Sequence, residues 1–462
     1  MTIIGVWNGD SVPGYLRHFF YTMQLNADVL DLLMINRLPG ANSSCLDFEK
    51  AGVDITWGGN IKVHCMDDKE WKRRHVDFLC SSEYGWNCDP AEYDAVSKEY
   101  QTRPDSKNYN WRPFRGYVFH DLFANPGNPL WAWLDHDVFV GNFARYPFNL
   151  LSQLSLLTGS QGIAVAVQMA GQLTAFNMDD KALGTAWKKF SRMRTPAHFT
   201  KYIEGKMPES SEERYWSYGY LQSDEDLPGS ELSYGLYPNI HGDDFFDRRW
   251  ERRNATETYV ISGREILLVS TAYSREEIEH LLQEERNDPI DDLGSIGWTG
   301  GEDGSAYLLD QPSLSSAQAK QLAISDAERL HHPPQVHDGI VEDTLLRTDC
   351  VTGAFWRQCV TPAPLTISHP PIMRASYVRF KGQQPNHILR RLEKDHRPRG
   401  YERKLIKHHL KSKSQPWFEF PPFEITQDLV LRYNLDAMEV FRIGPSRNET
   451  LFYRKKGEPS IG

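Results

Sequence analysis

The segment at residues 131–142, Trp-Ala-Trp-Leu-Asp-His-Asp-Val-Phe-Val-Gly-Asn, constrains the fold more than any other part of the chain. Its apolar residues predict a short buried strand that carries two aspartates, Asp135 and Asp137. Because side chains on a strand repeat every two residues, we expect both carboxylates on the same face. Two buried carboxylates are costly unless a cation or hydrogen-bond donors neutralise them.

This pair of carboxylates predicts a site for a divalent cation. Oxygen ligands at a strand end suit Mg²⁺ or Mn²⁺, which protein carboxylates and substrate phosphates often hold together. An Asp-x-Asp triplet carries little information by itself, because about one or two arise by chance in a chain of this length. A second triplet, Asp224-Glu225-Asp226, lies in polar surroundings. The alternative for Asp135 and Asp137 is therefore a purely structural role as capping or ion-paired carboxylates.

The first part of the chain alternates strands with a helix. Apolar runs and spacing predict three strands and one helix: residues 3–7, 29–35 and 61–66, and residues 12–27. This order predicts an α/β fold with a mainly parallel, doubly wound sheet flanked by helices. Ligands bind such sheets at the carboxyl ends of the strands, where the Asn8-Gly9-Asp10 loop and the aspartate pair are expected to meet.

Length and composition bound the organisation of the protein. With 462 residues, 40% of them hydrophobic, the chain is globular and long enough for two or three domains or for one large α/β domain with insertions. We predict one domain over residues 1–260 and a C-terminal α+β extension over residues 261–462, closed by a hairpin at residues 438–454. The net charge of −10 argues against a nucleic-acid partner.

A basic segment lies within the extension. Residues 381–413 contain eleven lysines and arginines against three acidic residues. Such a run is typical of a solvated surface, and the alternatives are peripheral contact with an anionic membrane or with an acidic polymer.

The signals for the cellular compartment conflict. No run of about 20 apolar residues predicts a membrane span, and no signal peptide is evident, so the default expectation is cytoplasmic. Sequons and closely spaced cysteines would fit a compartment such as the Golgi lumen if an N-terminal anchor is missing from this sequence, but chance sequons and free thiols explain them equally well. The sequons begin at Asn42, Asn254 and Asn448, and the cysteine pairs are Cys80/Cys88 and Cys350/Cys359.

Three of these features together resemble a known family. A first strand ends in Trp7-Asn8-Gly9, a second strand has the sequence Asp-Leu-Leu-Met-Ile-Asn (residues 31–36), and an Arg112-Pro-Phe-Arg115-Gly helix leads into the aspartate segment. This pattern resembles nucleotide-sugar-dependent glycosyltransferases of the GT-A fold, in particular a group in which a Lys/Arg-Pro-x-x-Gly helix precedes an Asp-x-Asp-x-x-x-Gly strand. The resemblance covers about residues 1–240 and is strongest over residues 108–143.

The resemblance implies a function and roles for several residues. The implied activity transfers a sugar from a nucleotide-diphosphate donor to a hydroxyl of a glycan, glycolipid or glycoprotein acceptor. Asp137 would be the principal ligand of Mn²⁺ or Mg²⁺, and Asp135 would face the metal or the ribose. The residues implied in donor binding are Trp7, Asn8 and Gly9 for the nucleotide, and Arg112 and Arg115 for the diphosphate.

Two further roles are implied farther along the chain. An inverting transferase needs a carboxylate that accepts the acceptor's proton, and Asp224 or Glu225 lies about where such enzymes keep it. Members of the family often add a late histidine ligand, for which His369 is the first candidate, ahead of His241 and His337. No His-x-Gly-x-x-Lys motif is present, so the third metal ligand stays open.

Two other functions compete with this interpretation. A metal-dependent phosphotransferase or nucleotidyltransferase can use the same pair of aspartates, although the chain has no Gly-x-x-x-x-Gly-Lys-Ser/Thr phosphate loop. A GT-A-like domain that binds ligands without catalysis is the third hypothesis. Binding of sugar nucleotides, of ATP, or of neither distinguishes the three.

Overall fold

A computed structural model describes most of the first 200 residues and parts of the remainder. The described residues are 1–8, 11–38, 44–102, 108–123, 127–146, 148–152, 155–158, 173–189, 193–198, 234–236, 257–287, 297–300, 305–309, 343–346, 377–379, 387–390, 403–404, 407–409, 420–434, 436–444 and 449–455.

The described residues form strands, helices and short 3₁₀ segments. The strands are β1 (Thr2–Trp7), β2 (Asp31–Leu38), β3 (Ile61–Asp67), β4 (Leu130–Leu134), β5 (Val138–Val140), β6 (Leu156–Thr158), β7 (Leu173–Asn177), β8 (Tyr234–Leu236), β9 (Glu257–Ser262), β10 (Glu265–Ser270), β11 (Gly297–Gly300), β12 (Ser305–Leu309), β13 (Asp343–Leu346), β14 (Tyr377–Arg379), β15 (His387–Arg390), β16 (Arg403–Lys404), β17 (Lys407–His409), β18 (Leu429–Tyr433), β19 (Ala437–Arg442) and β20 (Thr450–Lys455). The helices are α1 (Gly14–Gln24), α2 (Asp68–Leu79), α3 (Pro90–Thr102), α4 (Arg115–Val118), α5 (His120–Phe123), α6 (Phe148–Leu151), α7 (Lys181–Ala186) and α8 (Arg275–Asn287), with 3₁₀ segments at Asn108–Phe114, Phe143–Arg145 and Trp187–Lys189.

The main sheet is parallel in the part built from the first strands. Its order is β11-β12-β14-β8-β6-β7-β4-β1-β2-β3. Strand β1 pairs in parallel with β2 on one side and with β4 on the other, and β2 pairs in parallel with β3. The predicted parallel α/β arrangement is confirmed for these four strands. The sheet as a whole is mixed, because β7 runs antiparallel to β4 and β6 runs antiparallel to β7.

Both faces of this sheet are buried, and β4 shows the reason. Trp131 and Trp133 pack into the hydrophobic cluster that includes residues of α2 and α4. Leu130, Ala132 and Leu134 pack into the opposite cluster, which includes residues of α1. Alternate residues of a strand point to opposite faces, so a continuous apolar run is what a strand covered on both sides requires.

The aspartate segment differs from the single strand that its sequence predicts. Strand β4 ends at Leu134 and β5 begins at Val138, so Asp135 and Asp137 lie in a bend between the two strands. Strand β5 pairs with β17 in a separate two-stranded sheet, so the ladder of β4 does not continue into it. The expectation of a common strand face for the two carboxylates therefore does not apply.

The sequence also predicts one helix over residues 111–123, and this helix is divided as well. The structure has a 3₁₀ segment over Asn108–Phe114, followed by the four-residue helices α4 and α5. Pro113 lies inside the 3₁₀ segment, where it has no backbone N–H to donate to a helical hydrogen bond.

A second sheet is antiparallel and has the order β16-β10-β9-β18-β19-β20. Along β9, Val260 packs into the cluster that includes residues of α8, whereas Tyr259 and Ile261 pack into a cluster with Phe139 of β5. The sequence predicts a capping box at the start of α8, and it is confirmed: the Ser274 backbone N–H donates to Glu277 Oε2 (2.8 Å), and the Glu277 N–H donates to Ser274 Oγ (3.2 Å). Residue 260 lies within β9, and the domain boundary there stays a prediction.

Two disulfides link the described cysteines. Cys45 is bonded to Cys65 of β3, and Cys80 is bonded to Cys88 across the turn after α2. The other close pair, Cys350 and Cys359, lies outside the described residues, as do the sequon asparagines Asn42, Asn254 and Asn448. No helix in the described part of the chain has the length and apolar character of a membrane span.

Helix α4 packs directly on β4 through a glycine. A Cβ atom on Gly116 would lie 2.2 Å from Cε2 of the Trp131 indole, a distance that carbon atoms do not reach without displacement. The glycine of the Arg-Pro-Phe-Arg-Gly motif therefore allows the helical layer to approach the strand that leads to Asp135.

We expect Gly116→Ala to lower the free energy of unfolding by about 1–3 kcal/mol, because the new methyl group overpacks the buried indole. Urea unfolding, monitored by fluorescence, measures this change in the free energy of unfolding. The matched control is Gly14→Ala, whose Cβ would lie 3.8 Å from Cβ of Phe420, an ordinary contact. If both variants unfold at the wild-type urea concentration, the packing argument is wrong.

Candidate functional site

The candidate site lies where the strand order of the parallel part reverses. From β1 the chain proceeds outward to β2 and β3, and β4 then joins the opposite side of β1. Ligands of open α/β sheets bind at such a switch point, outside the carboxyl ends of the two strands. Here these ends are Trp7 and the exposed Asn8 after β1, and the bend at residues 135–137 after β4.

Asp135 is held by an arginine of the preceding 3₁₀ segment. Arg112 Nη2 donates to Asp135 Oδ1 at 2.7 Å, and the side chains are only 17% and 20% exposed. A charge-assisted hydrogen bond in such partly buried surroundings fixes the direction of the carboxylate. Arg112 and Asp135, both predicted from the sequence as site residues, are thus brought into direct contact.

Asp137 is more deeply buried and has a different neighbour. It is 4% exposed, and its charge acts on Tyr15 of α1. Burial of the Tyr15 hydroxyl, together with the negative charge of Asp137, raises the pKa of Tyr15 to about 12. The tyrosine is therefore neutral at physiological pH and keeps its hydroxyl proton near the carboxylate.

His136, between the two aspartates, packs into the core, and sequence reasoning gave it no role. Its ring lies edge-on to Trp7 and Phe19, with centroid distances of 6.0 and 5.5 Å. Burial, followed by the positive charge of Arg115, lowers the pKa of His136 to about 4, so the ring is neutral. A signal for this contact was present in Gly5, because a glycine inside an apolar strand often marks a close approach.

Arg115 lies beneath the site and donates to the backbone. Its side chain is buried, and Nη1 donates to the Ile4 carbonyl oxygen of β1 at 3.1 Å. The arginine therefore brings a positive charge to the middle of β1 from inside the protein. Its predicted contact with a diphosphate stays a prediction.

Asn36, at the end of β2, was also missed from the sequence as a site residue. Its Nδ2 donates to the Trp7 carbonyl oxygen at 3.4 Å, and its Oδ1 accepts from the Leu46 N–H at 2.8 Å. Asn36 is buried, so these bonds tie the end of β1 to the segment that carries Cys45 and its disulfide. The side of the site that is predicted to bind a nucleotide is therefore held together by these two hydrogen bonds and the Cys45–Cys65 disulfide.

The remaining predicted residues lie outside the described part of the chain. They are Gly9, Asp224, Glu225, His241, His337 and His369. Among the described residues, no group of three or more histidine, cysteine, aspartate or glutamate side chains has the arrangement of a metal site. Asp135 and Asp137 are two carboxylates of the type that Mg²⁺ and Mn²⁺ prefer, and these ions commonly take their remaining ligands from water and substrate phosphates.

One strand of the basic segment passes beside this bend. Strand β17 pairs antiparallel with β5, and the register places His409 opposite Val138, the residue after Asp137. The backbone of a lysine- and arginine-rich segment therefore pairs with the strand that directly follows the two aspartates.

Comparison with known proteins gives remote matches among solved structures. No protein-family model matches the chain, and no curated protein matches it. Among solved structures, the galactosyltransferase LgtC, in complex with donor and acceptor sugar analogs, is 11% identical; the match covers 45% of this chain and 66% of LgtC, with a TM-score of 0.25. An active-site mutant of LgtC matches at 10% identity, over 46% of this chain and 68% of the mutant, with a TM-score of 0.25.

A third structure, the apo form of mouse xyloside xylosyltransferase 1, is 10% identical over 44% of this chain and 72% of its own, with a TM-score of 0.24. All three structures are of glycosyltransferases. At these TM-scores and identities the similarity shows neither the fold nor the activity of this chain.

We expect Arg112→Met to lower the free energy of unfolding by about 1–3 kcal/mol, because it leaves the Asp135 carboxylate partly buried without its cation. The double variant Arg112→Met/Asp135→Leu should recover most of the loss, since both charges are then removed. Arg264→Met, which breaks an ion pair with the 53% exposed Asp28, is the control and should change stability by less than about 1 kcal/mol. Equal losses in the single and double variants would contradict this account.

Proposed function

We propose that this protein is a metal-dependent glycosyltransferase that moves a sugar from a nucleotide-diphosphate donor to a hydroxyl of an acceptor. The observation that supports this most directly is the location of the Asp135–Asp137 bend. It follows the carboxyl end of β4, beside the end of β1, at the switch point of the parallel strands. A donor bound there would have its nucleotide beside Trp7 and Asn8 and its diphosphate beside the carboxylates.

The chemistry of the departing group explains the need for these residues. When the bond between sugar and phosphate breaks, the nucleotide diphosphate gains negative charge, which a Mn²⁺ or Mg²⁺ ion held by Asp137 and Asp135 would stabilise. Arg112 engages Oδ1 of Asp135, so we expect Oδ2 to face the metal or the ribose. Arg112 thus holds the Asp135 carboxylate in a fixed direction before a donor binds.

The basic segment supports an anionic ligand at the same place. Strand β17 belongs to the basic segment at residues 381–413, and its backbone pairs with β5, the strand that follows Asp137. For this strand we favour contact with the donor over contact with a membrane surface or an acidic polymer. Asp224 or Glu225 as proton acceptor, and His369 as a further metal ligand, complete the proposal from residues outside the described part.

An oxidising compartment belongs to the same proposal. Cys45–Cys65 and Cys80–Cys88 are disulfide-bonded, and disulfides persist mainly in secreted proteins and in compartments of the secretory pathway. Glycan, glycolipid and glycoprotein acceptors are available in the lumen of the Golgi, which is the location we propose.

Calorimetric titration of the purified protein with UDP- and GDP-sugars, with and without Mn²⁺, tests the proposed function. We expect saturable binding that requires Mn²⁺, and a loss of at least about tenfold in affinity for Asp137→Asn, because the variant lacks the charged oxygen ligand. Asp28→Asn, at an exposed ion pair, is the control and should bind like the wild type.

The other outcomes favour the competing functions. Binding of ATP but of no sugar nucleotide would favour a phosphotransferase or nucleotidyltransferase. A folded wild-type protein that binds none of these ligands would favour a domain without catalytic activity, and unchanged donor affinity in Asp137→Asn would remove this residue from the site.

A further inference from the structure

We infer that His136 is a positioning residue: its ring fills a slot against Gly5 and thereby holds the bend that presents Asp135 and Asp137 to a ligand. This inference rests on the proposed function, since it assigns the metal-binding carboxylates their orientation. It gives His136 no contact with metal, donor or acceptor.

The slot is formed by a missing side chain on β1. A Cβ atom on Gly5 would lie 2.7 Å from His136 Nε2 and 3.1 Å from Sδ and Cε of Met34. The imidazole therefore occupies the space in which any larger residue at position 5 would place its side chain. A glycine inside a strand weakens that strand, so its presence in β1, an interior strand of the sheet, has a specific reason here.

Two aromatic side chains form the other walls of the slot. Trp7, at the end of β1, and Phe19, on α1, both meet the His136 ring edge-on. The residue between the two aspartates is thus held by β1 and α1, the two elements that border the bend on this side. Fixing this residue also fixes the backbone of its two neighbours and so limits the directions that their carboxylates can take.

The polar atom of the ring makes no hydrogen bond to a described residue that would explain the fit. Nε2 of His136 is buried and has no hydrogen-bond partner among the described residues. Burying an imidazole nitrogen in this way is costly, so a leucine of similar volume would fill the slot at lower cost in stability. Because we assign the ring a role through its shape, the nitrogen should be dispensable for metal binding.

Four variants separate a positioning role from the alternatives: Gly5→Ala, His136→Ala, the corresponding double variant, and His136→Leu. We expect Gly5→Ala and His136→Ala each to weaken Mn²⁺-dependent donor binding by about tenfold or more, as is usual when the support of a metal ligand is lost. His136→Leu should stay within about threefold of the wild type. Adding Gly5→Ala to His136→Ala should cause little further loss of donor affinity, because the new methyl group then occupies the space that the imidazole has left.

Hydrogen exchange of the peptide that spans residues 134–138 provides a readout that does not require any ligand. Exchange should become faster in Gly5→Ala and His136→Ala, and it should return towards the wild-type rate in His136→Leu. Gly14→Ala, whose Cβ makes only an ordinary contact with Phe420, is the control and should alter neither measurement.

Each contrary result has a distinct meaning. If His136→Leu loses as much donor affinity as His136→Ala, the nitrogen acts directly and the positioning role is wrong. If hydrogen exchange of the bend is unchanged in Gly5→Ala and His136→Ala, the ring does not hold the bend, and the inference fails whether or not donors bind. If the wild type binds no donor while exchange responds as expected, the proposed function fails and the support of the bend by His136 stands.

Discussion

The parallel pairing of β1 with both β2 and β4 is the constraint on which the rest of this structure depends. It makes β1 the strand at which the order reverses, and it brings two loops distant in sequence to one edge of the sheet. The packing of the two faces maintains the pairing: Gly116 lies against the Trp131 indole on one side, and the imidazole of His136 lies against Gly5 on the other. A side chain added at either glycine would push a packed layer away from the central strands.

The electrostatics of the site follow from this close packing. Arg112 compensates the charge of Asp135 directly, and Arg115 places a second positive charge beneath β1. Two other groups near the aspartates are neutral: Tyr15, whose pKa is raised to about 12, and His136, whose pKa is lowered to about 4, in both cases chiefly by burial. The edge of the sheet thus keeps its carboxylates in partly buried surroundings, where the proposed cation would interact with them more strongly than in water.

The C-terminal part of the chain supports the same bend. Phe139, two residues after Asp137, packs with Tyr259 and Ile261 of the second sheet. Asn142 Nδ2 donates to Glu265 Oε1 of β10 at 3.2 Å, and both residues are buried. The second sheet therefore braces the strand that leaves the candidate site, which gives this part of the extension a structural role beside any role in binding an acceptor.

The sequence alone was sufficient to predict the features that depend on residues close together in the chain. The apolar runs predicted β1 to β4, the alternation of strands with a helix predicted the parallel half of the sheet, and the Ser274–Glu277 spacing predicted the start of α8. The Asp-x-Asp triplet marked the segment in which the candidate site lies. These features depend on neighbours within a few residues, so spacing is sufficient to reveal them.

Only the tertiary structure decided how the aspartate segment is divided and what each side chain meets. The bend at Asp135 arises because His136 packs against Gly5, 131 positions earlier in the numbering, and because β5 pairs with β17 from the far end of the chain. The bond from Arg112 to Asp135 and the burial of Arg115 likewise depend on elements that meet only after folding. Such contacts leave no periodic trace in the sequence, because their geometry is set by the packing of whole layers.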